Sequence, residues 1–140
     1  MKRKRNLCLC FILLSIYAPA SIRADDEGVK WLHCTSKKFT ICNDANSMFS
    51  SYEYLDATGK KELTCRSGQR LLFKYEADNK KGNLTIAIKD PQQRTLWRID
   101  IKDFNRGRKE LNLKNTGIYT IEIKAKKASG SFNLSWEIGE

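Results

Sequence analysis

Apolar and polar residues alternate along most of this chain with a period of two, the signature of half-buried strands. Leu84, Ile86 and Ile88 fall on one face of an extended segment, with Asn83, Thr85, Ala87 and Lys89 on the other. Trp97, Ile99 and Ile101 alternate with Arg98 and Asp100, and Tyr119, Ile121 and Ile123 with Thr120, Glu122 and Lys124. Phe132, Leu134 and Trp136 alternate with Ser131, Asn133, Ser135 and Glu137. Leu71, Phe73 and Tyr75 form a further set, and the short, polar segment around Leu111 and Leu113 predicts an edge strand. A slip of one residue would turn any of these apolar sets into water, so register is strongly specified. Less regular strands are expected at 29–34, 38–42, 51–58 and 60–65, with a loop at 43–50. That makes ten strands and no convincing amphipathic helix.

Turn chemistry separates the later strands: 78–82, Asp90-Pro91, 105–107, 115–117 and Ser129-Gly130. Asp90-Pro91-Gln92-Gln93 predicts a type I turn, with proline setting φ at its second position. Turns recur roughly every dozen residues, the spacing of a sandwich or barrel. The fold class expected for 25–140 is all-β: a single antiparallel β-sandwich, jelly-roll-like.

Residues 1–24 have a different pattern. Lys2-Arg3-Lys4-Arg5 precedes an apolar run at 7–17 and the small residues Ala18, Ala20 and Ala24. The run is too short for a helix that crosses a bilayer, so it reads as a cleaved signal peptide, cut after Ala20 or Ala24. The expected location is secreted or periplasmic. This segment also changes the charge. It holds five of the 26 Lys and Arg and none of the 16 Asp and Glu, so the net +10 falls to 21 − 16 = +5 afterwards. Such a balance favours mild attraction to anionic surfaces and does not indicate nucleic-acid binding.

Cys8 and Cys10 lie in the signal, leaving Cys34, Cys42 and Cys65. In an oxidising compartment three cysteines permit one disulfide and one leftover thiol. Cys34–Cys42, closing a short loop, is the preferred bridge, and Cys42–Cys65 is the rival. Cys65 shares a strand face with Leu63 and is expected to be buried when it is the free thiol. Three cysteines and the lone His33 lack paired zinc-ligand spacing, so no metal or other cofactor is expected.

Catalytic chemistry is thinly supplied. Any Ser/His or Cys/His pair must use His33, which lies between Leu32 and Cys34 with no marked nucleophile nearby. The acids are scattered singly, and no glycine-rich phosphate loop exists. The expectation is a protein that is not an enzyme. Trp97 and Trp136 sit on core-facing positions, which leaves Tyr52 and Tyr54 as the best candidates for exposed aromatics.

The strand at Leu84–Ile88 running into Asp90-Pro91, the Asn115-Thr116-Gly117-x-Tyr119 turn-and-strand and the closing Ser129-Gly-Ser-Phe-x-Leu-x-Trp136 resemble small secreted bacterial jelly-roll sandwiches of the pre-peptidase C-terminal type. The likeness covers about half of the chain after residue 24. It implies a non-catalytic accessory or binding module, expected here to stand alone without an attached enzyme. A weaker resemblance links Leu63-Thr-Cys65-Arg-Ser-Gly68 and the strand after it to periplasmic inhibitors of C-type lysozyme, whose inhibitory aromatic-Lys-Gly segment has no counterpart here.

Basic residues cluster at Lys37-Lys38, Lys60-Lys61, Lys80-Lys81, Arg106 with Arg108 and Lys109, and Lys126-Lys127. If successive strands run antiparallel, all five clusters occupy odd-numbered connections and lie at one end of the sandwich. The leading expectation is an exported binding protein whose basic end engages an anionic envelope polymer, a lipid head group at a membrane surface or an acidic protein. The alternative is an enzyme inhibitor or immunity-like protein acting through the 43–54 segment, with Met48, Phe49, Tyr52 and Tyr54 as anchors.

Overall fold

A computed structural model describes residues 28–140; the signal peptide expected at 1–24 lies outside them. Among the described residues there is no helix. Six strands follow one another: β1 (Lys30–Lys37), β2 (Thr40–Asn43), β3 (Ser47–Cys65), β4 (Arg70–Lys89), β5 (Thr95–Asn112) and β6 (Gly117–Gly139). All pair antiparallel, in the order β1-β3-β6-β4-β5, and β2 also pairs with β3.

Ten expected strands become six because eight of them join in pairs. The chemistry at 78–82, 105–107 and Ser129-Gly130 makes no chain reversal between separate strands. It lies within β4, β5 and β6, each of which continues through it. The 105–107 stretch pairs regularly with 75–77, and register slips instead at 79–84: Asn79 pairs with Asp103 and Leu84 with Ile101, so β4 advances five residues (79 to 84) while β5 advances two (103 to 101). β3 slips likewise between Tyr52 and Ala57. Extra residues in one strand bend a sheet and strengthen its twist.

Both halves of each long strand bury one face in the same core. In β4 the buried residues are Leu71, Phe73, Tyr75 and Ala77 before the bend and Leu84, Ile86 and Ile88 after it. In β6 they are Tyr119, Ile121, Ile123 and Ala125, then Phe132, Leu134 and Trp136. The continuous sheet thus folds over itself into a two-layered antiparallel β-sandwich of jelly-roll type. The first layer takes 40–43, 47–52, 70–79, 103–112 and 130–139; the second takes 30–32, 55–65, 84–89, 95–101 and 117–126. Burying each large apolar side chain contributes on the order of 1.5–3 kcal/mol. β5 is the edge strand in both layers, as the polar 111–113 stretch predicts.

The two ends of the sandwich are therefore built differently. One end carries the turns at 44–46, 66–69, 90–94 and 113–116. There Asp90 accepts hydrogen bonds from the backbone N–H of Gln92 (2.9 Å) and of Arg94 (2.8 Å), and the Gln93 N–H donates to the Asp90 carbonyl at 2.8 Å, as a type I turn requires. Tyr119 closes another turn by donating its hydroxyl to the Asn115 carbonyl at 2.6 Å. The opposite end holds the bends of β3, β4, β5 and β6 and the β1–β2 turn. β4 and β6 approach so closely at the bend that a Cβ on Gly82 would collide with the Lys127 carbonyl, and one on Gly130 with the Asp78 carbonyl.

Candidate functional site

The bend gathers positive charge from distant parts of the chain. Lys37 ends β1 and pairs with Tyr54, Lys38 begins the β1–β2 turn, Lys80 and Lys81 lie in the β4 bend, and Lys126 and Lys127 lie in the β6 bend beside them. All six are exposed. A bend reverses direction as a turn does, so counting connections places these clusters at one end even though the strands are continuous. Lys38 has an exposed ion pair with Glu53 at 3.9 Å and Lys80 one with Asp78 at 3.8 Å. Among the described residues, Lys37, Lys81, Lys126 and Lys127 have no carboxylate within ion-pair distance. Exposed pairs of this length stabilise little, so these ammonium groups remain available to a ligand.

The other candidates lie elsewhere. Arg106 and Arg108 sit further along β5, on the outer face of the first layer, with Arg106 3.9 Å from Glu76. Lys60 lies on the outer face of the second layer, opposite Glu122. Lys61 must be removed from the cluster: strand alternation turns it inward, and it lies 91% buried with its ammonium 5.9 Å from the centre of the Trp136 ring.

Two further expectations are corrected. The segment at 43–54 is a loop only at 44–46; from Ser47 it is β3. Alternation directs Met48 and Tyr52 into the core, where Tyr52 packs on Phe39 and Phe132, with ring centres 6.3 and 6.0 Å away. Only Phe49 is well exposed, so the anchors expected for an inhibitory loop do not share a surface. No disulfide forms among Cys34, Cys42 and Cys65. Thr35, next to Cys34, pairs with Asp56, whereas Cys42 pairs with Phe49 on the other side of the β3 bend, which keeps the two thiols apart. Cys65 is buried beside Leu63, and burial pushes its thiol pKa up.

The bend also forms a cleft of about 640 Å³ between β4 and β5, lined by 79–85, Arg98 and 100–103. Lys80, Lys81, Arg98 and Lys102 supply cations; Thr85, Asp100 and Asp103 supply oxygen acceptors. The Thr85 hydroxyl donates to Asp100 at 2.8 Å, and with Arg98 at 3.3 Å it holds the carboxyl pKa below its usual range. Asn79 is 94% buried; its Nδ2 donates to the carbonyls of Gly82 (2.9 Å) and Ile101 (3.3 Å) while its Oδ1 has no partner. Phe104, directly after Asp103, is 55% exposed. Sequence reasoning missed it. The available signal was an aromatic residue out of step with the inward series Trp97, Ile99 and Ile101.

No protein-family model and no curated protein matches this chain. Solved structures do. The enzymatically active domain of tailspike protein 4 from bacteriophage CBA120 superposes with a TM-score of 0.52 at 15% identity, over 79% of this chain and 19% of that one. The chain thus spans about a fifth of the tailspike length. A CBM4 protein superposes with a TM-score of 0.50 at 6% identity, over 76% of this chain and 77% of the other. PliG from Aeromonas hydrophila, a periplasmic inhibitor of g-type lysozyme, gives a TM-score of 0.43 at 16% identity, with 84% and 92% covered. What the first two share with this chain is the fold. Both support the antiparallel β-sandwich architecture.

Proposed function

We propose that this is an exported, non-catalytic binding protein that holds an anionic ligand at the bend end of its sandwich. One observation carries the reading: Lys37, Lys38, Lys80, Lys81, Lys126 and Lys127, from both ends and the middle of the described chain, meet at one exposed end. Lysines act there as point charges on flexible stems, so the binding is salt-sensitive and tolerant of ligand shape. The turn end has no such excess, since Asp44, Asp90 and Glu140 balance Arg66, Arg94 and Lys114, and Arg66 and Arg94 are paired at 2.9 Å with Glu140 and Asp90. Export rests on the pattern of residues 1–24. The non-catalytic part rests on His33, exposed on β1 and the only imidazole in the sequence.

Binding of the chain lacking residues 1–24 to acidic and neutral polymers, at low and raised salt, tests the proposal. It predicts capture by acidic polymers alone, with affinity falling on the order of tenfold as screening shortens the reach of each charge. Lys80→Glu with Lys127→Glu should weaken capture further and leave the thermal midpoint nearly unchanged, because both side chains are exposed. Indifference to polymer charge and to salt refutes the reading.

A further inference from the structure

We infer that the ligand of the basic end is an acidic glycan, whose sugar units enter the β4–β5 cleft and continue over the outer face of the second layer. The inference rests on the binding function proposed above and adds the chemistry and path of the ligand. A site for a bare anion needs donors alone, and carboxylates within it repel the ligand. This cleft mixes Lys80, Lys81, Arg98 and Lys102 with Asp100 and Asp103. Cations suit the acid groups of the ligand, and carboxylates accept from its hydroxyls. The buried Oδ1 of Asn79 is a further acceptor without a partner, which a hydroxyl can satisfy directly or through a water. Phe104, which follows Asp103 and shares the outer face of the first layer with Arg106, offers a flat apolar face to a sugar ring on the far side of the cleft.

The path beyond the cleft follows from sheet register. Thr85, in the cleft, lies between Asp100 on β5 and Lys124 on β6. In the next row, Ala87 lies between Arg98 and Glu122, and Glu122 is opposite Lys60 on β3. Ala87, Thr120 and Glu122 are outward-facing yet 94–95% buried. Longer side chains rise around them: Glu122 lies 3.2 Å from Lys89, 3.9 Å from Lys60 and 4.0 Å from Lys124. Ala87, the shortest side chain of the row, is itself covered, so the inferred trough is the line of cationic ends above it. The trough crosses four strands, about 14 Å at the usual strand spacing. A lipid surface fits less well, because the large exposed hydrophobes form no single patch: Phe104 lies by the bend, Leu32 at the β1 edge of the second layer, Phe49 on the first layer, and Leu96, Ile118 and Ile138 flank the turns of the other end.

Calorimetry at low salt, using oligogalacturonates from dimer to hexamer, polyglutamate, polyphosphate and phosphatidylglycerol vesicles, separates the cases. We expect affinity for oligogalacturonates to rise with length until the trough is spanned, and to exceed that for the other probes. Phe104→Ala should weaken oligogalacturonate binding roughly fivefold to tenfold and leave polyphosphate binding unchanged. Lys124→Gln, at an exposed side chain, should reduce only the gain from added length, by up to about fivefold. Equal, salt-sensitive binding of polyglutamate or polyphosphate overturns the glycan inference and leaves the basic-end function standing. Tighter binding to vesicles overturns it in favour of a membrane surface. Failure of every anionic probe defeats both.

Discussion

Replacing Gly82 with alanine should cost far more stability than replacing Gly68, although both glycines have positive φ, +73° and +94°. In each case an L side chain meets backbone strain of about 1–2 kcal/mol. At Gly68 that is the whole effect, because a Cβ there would meet nothing within 4 Å. At Gly82 the Cβ would strike the Lys127 carbonyl, with the Lys126 carbonyl close behind. These are backbone atoms of a central strand and cannot rotate aside, so β6 must shift or the bend must open. Overpacking of this kind adds about 1–3 kcal/mol, which gives a loss of about 2–5 kcal/mol for Gly82→Ala against about 1–2 for Gly68→Ala. For a domain of this size the thermal midpoint falls by roughly 4 °C per kcal/mol. Urea titration followed by circular dichroism, with equal slopes required of both variants, measures the difference. Losses equal to within about 0.5 kcal/mol would show that β4 and β6 do not touch at the bend, and the account of the fold-over would fail.

Cys34 should react with a soluble alkylating agent in the native protein and Cys65 only after unfolding, since one is exposed and the other buried; mass spectrometry of digested, unreduced protein reads this, and a peptide joining Cys34 to Cys42 would contradict the structure. Asp90 should confer stability that disappears in acid. Burial alone would raise its pKa, but hydrogen bonds from Arg94 and Gln92 outweigh burial and hold it below the ordinary value. A depressed folded pKa means that the stabilisation is complete above the unfolded value of about 3.9 and is lost as pH falls through the folded one. Asp90→Asn should therefore be less stable than the parent at pH 7, with the gap closing below about pH 4; a gap independent of pH refutes the assignment.

The inward residues of β4, β5 and β6 were legible because burial on one face leaves a period-two pattern in the residues themselves. Leu71, Ile86, Ile121 and Phe132 show it. The nature of 78–82 and Ser129-Gly130 was not legible. Asn79, Gly82 and Gly130 suit a turn and a bend equally, since both need positive φ or close backbone approach. Tyr52 escaped because Ser50, inward and fully buried, interrupts its apolar set. Lys61 escaped because an inward lysine counts as polar in any pattern. The position of β6 between β3 and β4 leaves no local trace, for it depends on partners far apart in the chain. As for the site, the lysines of the bend could be grouped from the order of connections, whereas the cleft and Phe104 depend on how β4 and β5 slip past one another.

The strand at the centre of the sheet is the last of the six in the chain. β3 and β4 find their mutual neighbour only when β6 has arrived, so a chain emerging from its N-terminal end can form little more than the β4–β5 hairpin and the pairing of β1 and β2 with β3. Because every long strand serves both layers, neither layer can close ahead of the other. Folding is then delayed and all-or-none, governed by contacts of long sequence separation. Under the export proposed above, that delay would keep the chain extended during passage and reserve assembly for the far side.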